Sequence, residues 1–269
     1  MHVLVLGGTG EARDLAARLV ERGDSVVSSL AGRVSAPALP VGEVRTGGFG
    51  GVEGLADHLV DRRYDVVVDA THPFAAQITG NAVAACARAG VPLVRLQRPG
   101  WTRHPLAGEF TWVDDVESAR VAAEGLGVRP FLTTGRQQLD TFAVWDDRYV
   151  LARVVDPPDW DVPAGWEVLR ARGPYPYAAE RDLLESRAVD VLLTKDSGGA
   201  LTEAKLGAAH DLGVPVVVVR RPPVPDGVRV VETVGEAVRA MEVTGARGPS
   251  GRSTRNQPDG RRPRVRFER

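Results

Sequence analysis

Hydrophobic residues form two alternating patterns along most of the chain, short unbroken apolar runs and apolar faces at helical spacing. Residues 3–6 are the first run, and because no polar residue alternates within it, the run predicts a strand buried on both faces. Leu15, Leu19 and Val20 follow and predict an amphipathic helix. Such pairs recur about every 25 residues as far as about residue 113, which predicts a parallel sheet with helices on both faces.

The second half of the chain repeats these patterns. Strands are predicted at residues 131–133, 149–155, 166–169, 190–193 and 214–219, and helices at residues 176–186, 201–212 and 235–243. We therefore expect an α/β fold of two Rossmann-like three-layer domains, with mainly parallel sheets and a cleft between them. The predicted domains span residues 1–125 and 126–244.

The last 25 or so residues lack both patterns. Residues 245–269 are rich in arginine, glycine, proline and serine, and we expect them to form a disordered basic tail. Such a tail can contact nucleic acid or membranes, or it can be dispensable.

A glycine-rich turn joins the first predicted strand to the first predicted helix. Gly7, Gly8 and Gly10 allow a tight turn and let an anion approach the backbone N–H groups. The helix is predicted to begin near Thr9 or Gly10, so that its free N–H groups and positive dipole end face a phosphate. The spacing differs from the strict G-x-G-x-x-G fingerprint, so a tight connection without a ligand is the alternative to a dinucleotide site.

The end of the second predicted strand, residues 25–30, would lie beside the adenosine ribose of a dinucleotide. An acidic residue there holds the 2′-hydroxyl of NAD, whereas an arginine suits the 2′-phosphate of NADP. The sequence has Ser28, Ser29 and Arg33 in this region, and no carboxylate from residue 25 to residue 41. The first domain is therefore predicted to bind NADP. The alternative is that Arg33 is an ordinary solvated loop residue.

Polar and aromatic side chains follow the predicted buried strand at residues 65–69. Thr71, His72 and Phe74 lie there, at the edge of the sheet where ligands of open α/β folds gather. His72 can orient a substrate carboxylate or donate a proton, and a purely structural histidine is the alternative. Phe49 sits within a second glycine cluster, residues 47–51, which indicates either close approach to a flat ligand or a plain flexible loop.

A charged stretch follows the predicted strand at residues 190–193. Lys195 can pair with a carboxylate, and Ser197 with nearby amides can accept an anionic arm. Gly198 then allows the chain to turn into a helix. The alternative is that Asp196 or Ser197 only caps that helix.

Composition and charge narrow the function classes. The formal net charge of −1 gives no strong field toward nucleic acid or membranes. Cys86 is the only cysteine, and we see neither a signal peptide nor an apolar run of about 20 residues, so we expect a cytoplasmic protein that contacts no membrane. The histidines are scattered, so no metal is expected. Missing Walker A and G-x-S-x-G motifs argue against a P-loop NTPase and a serine hydrolase.

Several short stretches, taken in order, resemble the precorrin-6A reductases of cobalamin biosynthesis. They are LGGTGEA at residues 6–12, GR at 32–33, GGFGG at 47–51, DATHPFA at 69–75, RPGW at 98–101, GP at 173–174 and TKDSGG at 194–199. The resemblance covers residues 1 to about 243. It implies an NADPH-dependent reductase that transfers a hydride to one double bond of precorrin-6A, or of its cobalt form, to give precorrin-6B. It also implies that the macrocycle lies between two α/β domains.

The resemblance and the residue patterns together define a candidate site. The cofactor-binding candidates are Gly8, Thr9, Gly10, Glu11, Ser29, Arg33, Thr71, His72 and Pro73. The substrate-binding candidates are Phe49, Arg98, Arg136, Lys195, Asp196, Ser197 and Gly198, with the cationic side chains at the carboxylate rim of the macrocycle. The proton that accompanies the hydride can come from Lys195, Ser197, His72 or water, and the sequence does not choose among them.

Two other functions are compatible with a two-domain cleft. One is a transferase that binds a nucleotide-linked donor, and the other is a non-catalytic sensor that binds NADP. The resemblance favours the reductase, with a tetrapyrrole as its small-molecule partner and transient hand-over to neighbouring enzymes of the pathway.

Overall fold

The computed structural model describes residues 1–32 and 38–245, and their strands form two six-stranded sheets. From edge to edge, the first sheet contains β12 (Arg229–Val231), β5 (Leu93–Leu96), β4 (Val66–Asp69), β1 (His2–Leu6), β2 (Ser25–Leu30) and β3 (Glu43–Thr46). The second contains β6 (Thr111–Val113), β11 (Val216–Val219), β10 (Val191–Lys195), β7 (Pro130–Thr133), β8 (Val150–Val154) and β9 (Trp166–Arg170). Every strand pairing in the described part of the chain is parallel.

Helices cover both faces of each sheet. Around the first sheet these are α1 (Gly10–Glu21), α2 (Gly51–Arg62), α3 (Ala76–Ala89) and α7 (Val234–Gly245). Around the second they are α4 (Val116–Glu124), α5 (Tyr177–Ser186) and α6 (Ala204–Asp211). The central strands are buried on both faces, as their unbroken apolar runs predict. The predicted pair of three-layer α/β units is confirmed. None of the helices in residues 1–32 and 38–245 is long and apolar enough to cross a membrane.

Each sheet has a separate hydrophobic core on each face. In the first unit, α1 and α7 cover one face and α2 and α3 cover the other. In the second unit, α4 covers one face, and α5 and α6 cover the other. Alternate residues of β1 divide between the two cores, because Val3 and Val5 point to one face and Leu4 and Leu6 to the other.

Two segments lie in the unit opposite to the one that chain order predicts. The strand β6 and helix α4 fall within residues 1–125, yet β6 pairs with β11 and α4 packs on the second sheet. The strand β12 and helix α7 fall within residues 126–244, yet β12 pairs with β5 and α7 packs against α1. The two sheets thus exchange their sixth strands, and the boundaries predicted at residues 125 and 126 do not follow the sheets.

The hydrophobic patterns could not predict this exchange of edge strands. Both exchanged strands are three residues long and lie at sheet edges, so neither carries an apolar run that marks its sheet. The chain crosses between the units near Trp101 and Phe110, which are buried in the core of the second unit. Gly245, which we expected to begin the basic tail, is the last residue of α7, and residues 246–269 lie outside the described part of the chain.

Candidate active site

The carboxyl ends of the two sheets meet at one junction. Arg98 follows β5, and its Nε donates to the carbonyl oxygens of Ser197 at 2.7 Å and Gly198 at 3.1 Å, which follow β10. Arg221 follows β11 and donates to the carbonyl oxygens of Arg98 at 2.8 Å and Pro99 at 3.2 Å. Ligands of open α/β sheets bind beyond the carboxyl ends of the strands, so this junction is the expected place for a functional site.

The turn between β1 and α1 is open on its outer side. Gly8 has φ +115°, and a Cβ at this position would meet nothing within 4 Å. Thr9 is the N-cap of α1: its Oγ1 accepts from the N–H of Ala12 at 3.1 Å and donates to the carbonyl oxygen of Ala70 at 2.8 Å. The Thr9 side chain therefore ties the turn to the end of β4. An anion would meet the backbone N–H groups of the first helical turn, which have no partner within the helix.

A small groove beside this turn contains a buried hydroxyl that lacks a partner. The groove is lined by Gly7, Gly8, Ala12, Arg13, Ser28, Leu30, Ala38 and Pro40. Ser28 Oγ is buried and has no hydrogen-bond partner among the described residues. A buried polar atom without a partner costs free energy, which a ligand hydroxyl or phosphate oxygen can recover. Ser28 Oγ therefore offers a polar contact to a ligand that lies along this turn.

Arg45, on β3, is a candidate that the sequence patterns missed. Its Nη1 donates to Ser29 Oγ at 2.8 Å, and its guanidinium carbon lies 3.8 Å from the centre of the Phe49 ring. Nη2 donates to the carbonyl oxygen of Gly48 at 3.0 Å, and burial lowers the pKa of the guanidinium. Only the register of β3 against β2, which pairs Arg45 with Ser29, brings this cation to the end of β2.

A buried ion pair supports the segment that follows β4. Asp69 Oδ1 lies 2.6 Å from Arg95 Nη1, and Asp69 also accepts from the N–H and hydroxyl of Thr71 at 3.0 and 2.7 Å. Arg95 Nη1 donates in turn to Thr71 Oγ1 at 3.0 Å, and Nη2 donates to the carbonyl oxygen of His72 at 3.4 Å. Asp69 and Arg95 therefore fix the backbone of Thr71 and His72. Because the Thr71 side chain is engaged in this network, it serves the candidate site as a support.

His72 is neutral at this junction. Burial, followed by the charges of Arg98, Lys195, Arg221 and Arg95, lowers its pKa to about 3. The backbone N–H of Phe74 donates to His72 Nδ1 at 3.3 Å, so in the neutral ring the hydrogen is on Nε2. His72 can therefore donate a hydrogen bond from Nε2, but it does not carry an additional proton at neutral pH.

Lys195 approaches the same place from the second unit. It is the last residue of β10, and its Nζ lies 5.3 Å from the centre of the Phe74 ring. Phe74 follows β4 but packs against the core of the second sheet, so it crosses the junction. Burial alone lowers the pKa of Lys195 to about 8. Lys195 is thus a cation that can release a proton near neutral pH.

Asp196 anchors the segment through which the chain crosses between the units. Its Oδ1 accepts from the backbone N–H of Trp101 at 2.7 Å, and its Oδ2 lies 3.3 Å from Arg221 Nε. Gly198 approaches so closely that a Cβ would lie 2.1 Å from the carbonyl oxygen of Pro99. Both residues were predicted to bind substrate. In the structure, the contacts described here are with other parts of the chain and support the fold at the junction.

Within the described residues, the structure brings most predicted site residues together and separates Phe49 from them. Gly8, Glu11, His72, Lys195 and Ser197 line or flank the junction. Pro73 continues the segment of His72 and is buried. Phe49, predicted to bind substrate, lies instead beside Arg45 near β3, at the edge of the first sheet. Arg136 follows β7, and its Nη1 donates to the carbonyl oxygen of Pro157 at 3.3 Å. Arg33 lies outside the described residues.

The described part of the chain offers no site for a metal ion. No group of three or more histidine, cysteine, aspartate or glutamate side chains is arranged to hold one in residues 1–32 and 38–245. Cys86 is buried, and burial raises the pKa of its thiol to about 12, so this thiol is inert as a nucleophile.

Two parallel sheets joined at their carboxyl ends, an open glycine turn and buried cations at the junction define a two-unit α/β protein with a candidate ligand site at that junction. A family model described as "Precorrin-6x reductase CbiJ/CobK" matches residues 2–242. The chain belongs to this family of reductases.

Individual relatives agree with this assignment. A precorrin-6A reductase of Rhodococcus erythropolis is 51% identical over 240 residues, covering 88% of this chain and 96% of the relative. One from Mycobacterium tuberculosis is 48% identical over 245 residues, covering 91% and 98% of the two chains. Among solved structures, a CobK precorrin-6A reductase matches with a TM-score of 0.83 and 40% identity, covering 91% of this chain and 98% of that one.

Proposed function

We propose that this protein is an NADPH-dependent reductase that adds a hydride and a proton across one double bond of precorrin-6A, giving precorrin-6B in cobalamin biosynthesis. The observation that carries the proposal is that His72 and Lys195, which come from the carboxyl ends of β4 and β10 in different units, both lie against Phe74. The ring centres of His72 and Phe74 are 5.9 Å apart, and Lys195 Nζ lies 5.3 Å from the centre of the Phe74 ring. A flat macrocycle between the units would face both side chains. The names of the relatives support the substrate.

The dinucleotide is proposed to lie on the first unit. The first N–H groups of α1 would hold its phosphates, with Gly8 leaving room for their approach. Ser28 and Ser29 would contact the adenosine ribose, and Arg45, with Arg33, would bind the 2′-phosphate that distinguishes NADPH from NADH. NADPH supplies the hydride, so the protein mainly has to orient the nicotinamide against the macrocycle.

The macrocycle is proposed to lie against the second unit. Its carboxylate arms require cations at the rim of the cleft. Lys195 ends β10, and Arg136 follows β7, the neighbouring strand of the second sheet. Arg98 donates to Glu11 and to two carbonyl oxygens, so it contributes to the same rim from a fixed position. His72 Nε2–H can donate to an oxygen or nitrogen atom of either ligand.

We propose Lys195 as the source of the proton. Its lowered pKa of about 8 keeps the ammonium mostly protonated at neutral pH while making it a stronger acid than an ordinary lysine. His72, with a pKa of about 3, holds no imidazolium proton to give. Ser197 stays a weaker candidate because a serine hydroxyl gives up a proton only beside a base. The neutral Lys195 amine would regain its proton from water.

The substrate is proposed to be the metal-free ring, since the two relatives described above carry the name precorrin-6A reductase. Transient hand-over to neighbouring enzymes of the pathway stays a prediction. Placement in the cytoplasm also stays a prediction, and it depends on a single cysteine in the sequence.

The proposal is tested by mixing the protein with precorrin-6A and NADPH without oxygen and following the visible spectrum and the mass of the macrocycle. We expect one equivalent of NADPH to be oxidised and the macrocycle to gain one hydride and one proton. Parallel reactions with NADH and with the cobalt form should be slower. No change with either macrocycle and either dinucleotide would contradict the proposal.

A further inference from the structure

Glu11 and Arg98 connect the two sides of the proposed cleft. Glu11 lies in the first turn of α1, and its Oε2 accepts from Arg98 Nη1 at 2.8 Å. The Nε of the same guanidinium donates to the carbonyl oxygens of Ser197 and Gly198. One arginine therefore binds both the helical turn proposed to hold the dinucleotide phosphates and the segment of residues 197–202, here named the 197–202 loop.

The 197–202 loop also packs directly on the turn of α1. Leu201 is half exposed, and its Cδ1 lies 3.7 Å from the point that a Cβ on Gly10 would occupy. On the same loop, a Cβ at Gly199 would lie 2.8 Å from Arg98 Cδ, so the loop fits against the arginine without space for a larger residue. The position of the loop therefore depends on where Arg98 and the first turn of α1 are held.

A bound anion at the start of α1 would change the electrostatic balance of the contact between Glu11 and Arg98. Phosphates at the start of α1 would bring negative charge close to the Glu11 carboxylate, which is unfavourable unless a cation lies between or beside them. Arg98 is the cation in contact with Glu11. A bound dinucleotide therefore favours the state in which Arg98 stays on Glu11, and this state holds the 197–202 loop through Nε.

We infer that Glu11 is a positioning residue that acts through Arg98 to couple the binding of the dinucleotide to the binding of the tetrapyrrole, so that each ligand tightens the other. The inference rests on the proposed function, because it takes the positions of both ligands from it. Thermodynamic linkage requires that each ligand change the Kd of the other by the same factor, so a titration with either ligand measures the coupling.

The test is a pair of titrations with NADP⁺, with and without saturating precorrin-6A. NADP⁺ has no hydride to give, so the ternary complex does not react. For the unaltered protein we expect the Kd of NADP⁺ to fall about fivefold or more when precorrin-6A is present. For Glu11→Gln we expect a change of less than about twofold. The readout is the Kd of NADP⁺ without precorrin-6A divided by the Kd with it. A substitution that only weakens the binding of one ligand leaves this ratio unchanged.

A second variant and a control sharpen the test. In Arg98→Lys one nitrogen replaces Nε and Nη1, which contact the carbonyl oxygens and Glu11 from different positions, so this variant should lose the coupling as Glu11→Gln does. The double variant should lose no more than either single one, because both break one connection. Glu232→Gln, which breaks an exposed ion pair with Arg103, should keep the full ratio.

Two results would overturn the inference: a ratio of one in the unaltered protein, or an unchanged ratio in Glu11→Gln and Arg98→Lys. Failure of the unaltered protein to bind NADP⁺ under either condition would instead contradict the proposed function, and the coupling would fall with it.

Discussion

Asp69 and Arg95 form an ion pair in the interior of the first unit, with 2.6 Å between Oδ1 and Nη1 and at most 1% exposure of either side chain. Charges removed from water are tolerated only when paired and hydrogen-bonded, and Asp69 has Thr71 and Thr79 as additional donors. Arg95 also donates to the carbonyl oxygen of His72, so the pair contacts the segment that carries His72. Its stability therefore bears on the geometry of the junction as well as on the fold.

Replacing one partner of this pair should be costly. We expect Asp69→Asn to lower the free energy of unfolding by about 3–5 kcal/mol, because Arg95 would be left charged and buried without its counter-ion. Chemical denaturation measures the change. Glu53→Gln is the matched control, since it breaks an exposed ion pair with Arg88 and should cost less than about 0.5 kcal/mol. Equal effects of the two substitutions would show that Arg95 does not depend on Asp69.

The closeness of Gly198 to Pro99 makes a separate prediction. Gly198 has φ +63°, and a Cβ would lie 2.1 Å from the Pro99 carbonyl oxygen and 2.4 Å from Arg221 Nη2. Gly213 has φ +67°, but a Cβ there would meet nothing within 4 Å. Both glycine-to-alanine changes carry the cost of a left-handed backbone, about 1–2 kcal/mol. We expect Gly198→Ala to lower the free energy of unfolding by about 1–3 kcal/mol more than Gly213→Ala does, because the two units must move apart to make room for the methyl group.

The comparison of these two variants isolates the contact between the units. Thermal or chemical unfolding gives the stability difference, and turnover with precorrin-6A reports the junction. We expect Gly213→Ala to keep the turnover rate and Gly198→Ala to lose most of it. If the two variants behaved alike, the close approach of Gly198 to Pro99 would be irrelevant to both stability and turnover.

Most of the first unit follows from its hydrophobic pattern. The predicted strands at residues 3–6, 25–30 and 65–69 correspond to β1, β2 and β4. Thr9 begins α1 as an N-cap, because a hydroxyl before an apolar helical face satisfies a free N–H group. These elements are predictable because local propensity, capping and burial agree.

The remaining features depend on contacts between residues distant in sequence. The short edge strands β6 and β12 have no apolar run of their own, and only pairing identifies their sheet. Arg45 becomes a candidate only through its register against Ser29. Arg98 was predicted at the substrate rim, and its bonds to Glu11 and the 197–202 loop arise because two units meet there. No local pattern encodes such a meeting.

If Lys195 donates the proton, kcat should depend on pH. The ammonium form is the reactive one, and it is lost as the pH rises through the pKa of about 8. We therefore expect kcat to be constant below this pH and to fall about tenfold per pH unit well above it. Lys195→Ala should lower kcat by about 100-fold or more while changing the Kd of NADPH little. Steady-state kinetics across this pH range measures both effects.

Lys195→Arg separates the charge of this residue from its proton. A guanidinium keeps the positive charge but does not release a proton at any accessible pH. If Lys195 donates the proton, this variant should stay slow, and its rate should not fall above pH 8. A fast Lys195→Arg enzyme would mean that only the charge matters. Unchanged kinetics in Lys195→Ala would remove the residue from the site altogether.

Cofactor choice tests the two arginines near the end of β2. We expect Arg45→Gln and Arg33→Ala each to weaken the binding of NADPH about tenfold more than that of NADH, because a 2′-phosphate would lose a charge-assisted hydrogen bond. Fluorescence titration with both dinucleotides gives the ratio. Arg62→Gln, which breaks an exposed pair with Glu43, is the control and should leave the ratio unchanged. Equal losses for NADPH and NADH would refute the 2′-phosphate contact of the arginine concerned.

The most direct measurement is a crystal structure of the protein with NADP⁺ and precorrin-6A bound together. We expect the dinucleotide phosphates at the first turn of α1, the nicotinamide beyond β4 near His72, and the macrocycle between the two units with Lys195 at its face. A dinucleotide bound elsewhere, or a junction closed by protein side chains with no macrocycle inside it, would contradict the proposed reaction geometry.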